Sequence, residues 1–269
     1  MLMKQVAKRL LGDKVLGIID YYRHPDWRSS WGGALNGQSH RQRMVETFIR
    51  ELPLETIVET GTYRGTTTAF LASLTSVPIY TVECDARRQG FSLPALRRFD
   101  NVHRYGGDSR EFLRMLASKP DLENQVILFY LDAHGTPDYV NARGTADLPL
   151  ADEVDIIFRR WQRALVLIDD FQVPDDDGYG YDNFGRGKAL TCDYLRLAIR
   201  RFGLRTFFPS VTSDSETGFK RGCVVLAADA DLIAALRTMP EVREWTARSR
   251  RSIAGGVALL IMQVLPAVV

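Results

Sequence analysis

From residue 56 onward, short apolar runs alternate with amphipathic stretches. The apolar runs at 57–58, 79–82, 102–105, 126–131, 164–168, 204–208 and 223–227 predict strands. The stretches at 66–73, 86–99, 109–117, 150–161 and 187–202 predict helices. The run Val126-Ile-Leu-Phe-Tyr-Leu131 has no alternating polar position, which fits a strand covered on both faces. Regular strand–helix alternation predicts an α/β, doubly wound, mainly parallel sheet. Residues 1–50 read as an N-terminal helical extension or lid, in which Met44, Phe48 and Ile49 share one side of a helix at 39–51. Residues 51–228 read as one cofactor-binding catalytic domain, and 229–269 as a C-terminal helix and apolar tail packed on it. The Gly- and Asp-rich segment 175–187 reads as a mobile loop near the strand ends. There is no internal repeat.

Composition narrows the class. The chain has 269 residues, 45% hydrophobic and 25% charged, which is ordinary for a globular protein and enough for one large α/β domain. A net charge of +2 gives no argument for a nucleic-acid partner, and the basic clusters at 159–160, 196–201 and 248–251 read as solvated faces. Three widely spaced cysteines, Cys84, Cys192 and Cys223, fit a reducing compartment and give no zinc spacing. The first residues lack the apolar core and small-residue cleavage site of a secretory signal, so the expected location is the cytoplasm. The tail 253–269 is almost wholly apolar but is interrupted by Gly255, Gly256, Gln263 and Pro266. It reads as a buried strand or a cap on the core before a spanning helix, and it leaves a homodimer contact or a membrane contact open.

The chemistry concentrates at predicted strand ends. Glu59-Thr-Gly61-Thr62-Tyr63-Arg-Gly65 follows a strand and opens a helix. Glycine permits unusual dihedrals and close approach, and the free N–H groups near Thr66 and Thr67 can meet a polar ligand. The spacing is G-x-x-x-G, not the G-x-G-x-x-G of dinucleotide sites, so a mononucleoside such as S-adenosylmethionine fits better. Glu83, at the end of the next strand, is placed to accept ribose hydroxyls. Asp108 and Ser109 follow the third strand, where they can cap a helix and contact an adenine amino group. Asp132 in Leu131-Asp-Ala-His134 and the pair Asp169-Asp170 end two further strands. Carboxylates converging there suit a hard divalent cation such as Mg²⁺, which can grip a substrate diol and lower a hydroxyl pKa. His134 is a candidate general base, a metal ligand or a structural histidine. Trp31, Tyr179 and Tyr181 are candidates for an aromatic substrate wall or for packing beneath loops.

These residues resemble class I S-adenosylmethionine-dependent methyltransferases over roughly residues 40–228. The turn from Glu59 to Gly65 resembles that family's first motif, and Glu83 its ribose acid. Leu131-Asp-Ala-His134, Pro149-Leu150, Glu153 and Ile168-Asp-Asp170 resemble a subgroup of metal-dependent sugar and macrolide O-methyltransferases. The resemblance implies a Rossmann-like methyltransferase fold with a seven-stranded sheet whose last strand, at 223–227, is antiparallel. It also implies Mg²⁺ on Asp132, Asp169 and Asp170, and an acid/base residue near His134, where some relatives carry an Asp. The implied function is O-methylation of a hydroxyl on a sugar or small natural product. A nicotinamide- or nucleotide-sugar-linked oxidoreductase is disfavoured by the glycine spacing and by the lack of a Tyr-x-x-x-Lys pair. A non-catalytic cofactor-binding module is disfavoured by the three acids.

Overall fold

The computed structural model describes residues 2–134, 148–185 and 187–246. The strands are β1 (Thr56–Thr60), β2 (Ile79–Glu83), β3 (Val102–Gly106), β4 (Ile127–Leu131), β5 (Ala164–Ile168), β6 (Arg205–Pro209), β7 (Val224–Ala227) and β8 (Val242–Trp245). They form one sheet in the order β3-β2-β1-β4-β5-β7-β6-β8. Pairings among β1 to β5 are parallel, whereas β7 is antiparallel to β5 and β6, and β8 is antiparallel to β6. The helices are α1 (Leu2–Arg23), α2 (Ser39–Glu51), α3 (Thr66–Leu74), α4 (Ala86–Leu96), α5 (Ser109–Ala117), α6 (Leu150–Arg160), α7 (Arg196–Phe202) and α8 (Ala230–Thr238).

Strand β4 shows why its sequence is uniformly apolar. Ile127, Phe129 and Leu131 point to one face with α5 and α6, through Leu113, Leu116, Val154 and Ile157. Leu128 and Tyr130 point to the other face with α2, α3 and α8, through Met44, Phe48, Leu71 and Leu236. Both faces of a parallel strand are covered, so neither can be polar. Phe129 and Trp161 are fully buried with ring centroids 5.1 Å apart, and truncating such a ring to Ala costs about 3–5 kcal/mol.

The N-terminal extension is tied to the sheet at two places. α1 crosses α4 at two glycines: a Cβ on Gly17 would lie 1.8 Å from the Arg87 carbonyl oxygen, and one on Gly90 would lie 1.9 Å from that of Lys14. Any side chain at either position would separate the helices. α2 docks against the sheet through Met44, Val45 and Phe48.

Two sequence expectations change. The sheet has eight strands, not seven. The added β8 is an edge strand, Val-Arg-Glu-Trp, whose Glu244 pairs with Arg237 at 2.8 Å; charged edge residues discourage further pairing and hide the strand from an apolar-run search. The helix expected at 187–202 shrinks to Arg196–Phe202. Upstream, Leu190 donates its N–H to Asp182 and accepts from Gln172 at its carbonyl, so that backbone is committed to neighbouring loops. The antiparallel strand expected at 223–227 is β7. Residues 253–269 and the basic cluster at 248–251 lie outside the described residues. Among the described residues, no helix is long and apolar enough to cross a membrane.

Candidate active site

In the strand order, β1 and β4 lie side by side at the point where the winding reverses. Crevices in open parallel sheets form there, beyond the carboxyl ends of the strands. A cavity of about 430 Å³ occupies that place. Gly61, Tyr63, Glu83, Ser109, Asp132, His134 and Asp170 all line it. A smaller recess beside it is lined by Thr62, Thr66, Thr67 and Asp169 among others.

The turn after β1 is shaped by backbone constraints. Gly61 has φ +90°, and a Cβ there would lie 2.3 Å from the backbone oxygen of Asp132. Its glycine is therefore needed for the close approach of the β1 and β4 ends. Tyr63 has φ +48°, an uncommon value for a non-glycine residue. Its N–H donates to Glu83 Oε2 at 2.8 Å, and Glu83 Oε1 accepts from the N–H of Asp85 at 2.9 Å. Glu83 is thus fixed by the backbone on both oxygens, each of which retains acceptor capacity toward the cavity.

Three of the expected cofactor-binding residues support the cavity without lining it. Glu59 is buried beneath the turn, and its Oε2 accepts from Thr68 and Thr81 hydroxyls at 2.5 Å each. Burial pushes its pKa up to about 7, with the Glu83 charge adding to the effect. A Cβ on Gly65 would touch the side chains of Ser92 and Leu96, at 3.0 and 3.1 Å. Asp108 caps α5 by accepting from Arg110 N–H and pairs with the Arg110 side chain at 2.6 Å. Arg110 holds the Asp108 carboxyl below its ordinary range.

The acidic edge of β4 and β5 carries the strongest electrostatics. Asp132 is pushed well above the usual carboxylate range by burial, with the charges of Asp169 and Asp170 adding to it. Asp170 is raised by burial and by Asp169. Burial works against ionised Asp169 as well, yet Arg41 and Tyr130 outweigh it and the pKa falls. Asp169 is 2% exposed and its acceptor sites are taken. Oδ1 accepts from Arg41 and from the Asp170 N–H at 2.7 Å, and Oδ2 accepts from the Tyr130 hydroxyl at 2.5 Å and Asn36 at 3.2 Å. Arg221 donates to Asp170 at 2.5 Å and also pairs with Asp182.

His134 is buried at 8% exposure. Its Nε2 lies 3.0 Å from the Asp169 backbone oxygen, which can only accept, so Nε2 bears the hydrogen. Nδ1 is buried and has no partner among the described residues. One nitrogen of His134 and one oxygen each of Asp132 and Asp170 lie within 4.8 Å of one another. That donor set suits a divalent cation.

The aromatic candidates separate. Trp31 lines the cavity and is 58% exposed, facing Phe219 with ring centroids 5.3 Å apart. Tyr179 is buried and donates to the Val211 carbonyl at 3.3 Å, and Tyr181 does not line the cavity. Phe219, Arg221 and Asn36 line the cavity although they belong to no motif. Arg41 carries a signal in retrospect. It shares the stripe of Met44, Val45 and Phe48 at helical spacing, so its charge falls on the buried face of α2 and needs a buried partner.

No protein-family model matches the chain, and no curated protein matches it. Solved structures do. A putative caffeoyl-CoA O-methyltransferase from Staphylococcus aureus superposes with a TM-score of 0.52 at 16% identity, covering 80% of this chain and 98% of that one. An O-methyltransferase from Bacillus cereus, solved in complex with SAH, gives 0.51 at 13% identity, covering 85% and 98%. At such identities the likeness is one of fold: this chain has a Rossmann-like methyltransferase fold, here with an eight-stranded sheet.

Proposed function

We propose that the protein is an S-adenosylmethionine-dependent O-methyltransferase acting, with a divalent cation, on a hydroxyl of a sugar or small natural product. The observation that carries this reading is one cavity holding both a backbone-fixed carboxylate at the end of β2, Glu83, and an acidic edge at the ends of β4 and β5. Fold likeness to O-methyltransferases, one of them bound to SAH, supports it.

Bound S-adenosylmethionine supplies a methyl group on a sulfonium sulfur; the acceptor oxygen takes the methyl as the C–S bond breaks, leaving S-adenosylhomocysteine. Glu83 accepts the ribose hydroxyls, and Ser109 lies at the start of α5 where the base would rest. Asp132 takes the acceptor's hydroxyl proton on a carboxylate oxygen. It lines the cavity and offers an acceptor oxygen there. His134 is poorly placed for it, because Nε2 is committed to a carbonyl and Nδ1 is buried. A cation at the β4–β5 edge would lower the hydroxyl pKa and orient it. Trp31 and Phe219 offer an apolar platform at the mouth, with Asn36, Asp182 and Arg221 beside it for hydrogen bonds, a combination suited to a hydroxylated ring.

The test is radiolabelled methyl transfer from S-adenosylmethionine to a panel of glycosides and phenols, with Mg²⁺ or with chelator. Asp132→Asn is expected to abolish transfer while S-adenosylhomocysteine still binds within threefold of wild type. Undiminished transfer by Asp132→Asn would remove Asp132 from the chemistry. Undiminished transfer in chelator would remove the cation.

A further inference from the structure

Resemblance assigns three consecutive-strand acids, Asp132, Asp169 and Asp170, to a metal. The geometry points to a different set: we propose that the cation is held by Asp132, His134 and Asp170, and that Asp169 is the anchor of Arg41 and not a ligand. This rests on the cation-assisted reading above and refines which residues hold the ion.

Asp169 is spent. Its two oxygens accept from Arg41, Tyr130, Asn36 and the Asp170 N–H, and both it and Arg41 are almost fully buried. Arg41 also donates to the Arg221 carbonyl. Giving Asp169 to a cation would strip a buried guanidinium of its counter-charge, which is costly.

His134 has the complementary arrangement. Ligating histidines commonly donate their other ring N–H to a backbone carbonyl, which fixes the tautomer and turns the lone pair to the metal. The Nε2 contact to the Asp169 carbonyl fixes the tautomer and leaves Nδ1, buried and without a hydrogen-bond partner among the described residues, as the nitrogen able to take a metal. The Asp169 backbone thus orients one ligand while its side chain holds Arg41. Asp132 and Asp170 place two carboxylates in one cavity within 4.8 Å of the His134 ring nitrogen, an arrangement a cation between them would relieve. Arg221 pairs with Asp182 as well as Asp170, so it keeps a partner when a cation takes an Asp170 oxygen.

The experiment uses Mn²⁺ as the probe, with no nucleoside present. Continuous-wave paramagnetic resonance gives its affinity, and electron spin-echo envelope modulation reports a directly bound ¹⁴N. Wild type is expected to bind one Mn²⁺ with nitrogen modulation that disappears in His134→Gln. Affinity is expected to fall about tenfold or more in His134→Gln and Asp170→Asn. It should change less than threefold in Arg41→Met/Asp169→Asn, the double variant that removes the buried pair together and so guards against misfolding. Bound Mn²⁺ without nitrogen modulation, or a double variant as weak as Asp170→Asn, would overturn the assignment. S-adenosylhomocysteine titration is run in parallel. Normal nucleoside binding with no Mn²⁺ binding defeats the cation site alone. Normal Mn²⁺ binding with no nucleoside binding defeats the methyltransferase reading alone.

Discussion

Arg41→Met isolates the pair that closes the acidic edge. Arg41 is 1% exposed and Asp169 2%, so the substitution leaves a carboxylate in the core without its counter-ion. Removing one partner of a buried pair typically costs about 3–5 kcal/mol. Asp169 retains the Tyr130 hydroxyl, Asn36 and the Asp170 N–H, which places the expected loss near the lower figure, about 3 kcal/mol. For a chain of this size that corresponds to a fall in Tm of roughly 6–12 °C. The assay is urea denaturation of wild type, Arg41→Met, Asp169→Asn and the double variant. The double variant should be closer to wild type than Arg41→Met is, because no unpaired charge remains. The pH dependence has a definite sign. Asp169 is depressed, so the pair's contribution is present at neutral pH and is lost only as pH falls through the lowered folded pKa. An Arg41→Met protein within 1 kcal/mol of wild type, or a double variant less stable than either single one, would refute the reasoning.

Two further outcomes follow from the turn after β1. Gly61→Ala places a Cβ 2.3 Å from the Asp132 oxygen at φ +90°, whereas Gly203→Ala meets open space at φ +64°. The dihedral alone costs roughly 1–2 kcal/mol; by thermal melts Gly61→Ala should lose clearly more than Gly203→Ala, and equal losses would dismiss the close approach. Glu59→Gln keeps a neutral acceptor for Thr68 and Thr81. Because the folded pKa of Glu59 is raised from 4.5 to about 7, its stabilising contribution is complete below about pH 4.5 and is lost as pH rises through about 7. The variant should therefore match wild type at pH 5 and exceed it at pH 8.5 by up to roughly 3 kcal/mol in urea denaturation; an equal difference at both pH values would dismiss the raised pKa.

The parallel strands were within reach of the sequence because strands buried on both faces leave uninterrupted apolar runs, as in Ile127–Leu131. β8 was not, because an edge strand with Arg243 and Glu244 has no such run. Nor was the loss of the first part of the helix expected at 187–202, which turns on long-range bonds such as Leu190 to Asp182. At the site, strand-end acids were legible one by one, since topology alone brings strand ends to one edge. Their division of labour was not. Glu59 and Asp108 look like ligand contacts in a motif, but the Thr68 and Thr81 hydroxyls take up the first carboxylate and the neighbouring Arg110 the second. Asp169 is set apart from Asp170 by Arg41, 128 residues away in the chain, and by Tyr130 and Asn36. Phe219 and Arg221 reach the cavity from the approach to β7, where nothing in the local pattern marks them.

The most direct test of the central claim is calorimetric titration of the protein with S-adenosylmethionine and S-adenosylhomocysteine, repeated with Glu83→Ala. The expected result is micromolar binding of both compounds to wild type, lost in the variant while its melting profile stays intact. No binding of either compound to the folded wild-type protein, with or without Mg²⁺, would contradict the assignment of the cavity to a methyl-donor nucleoside.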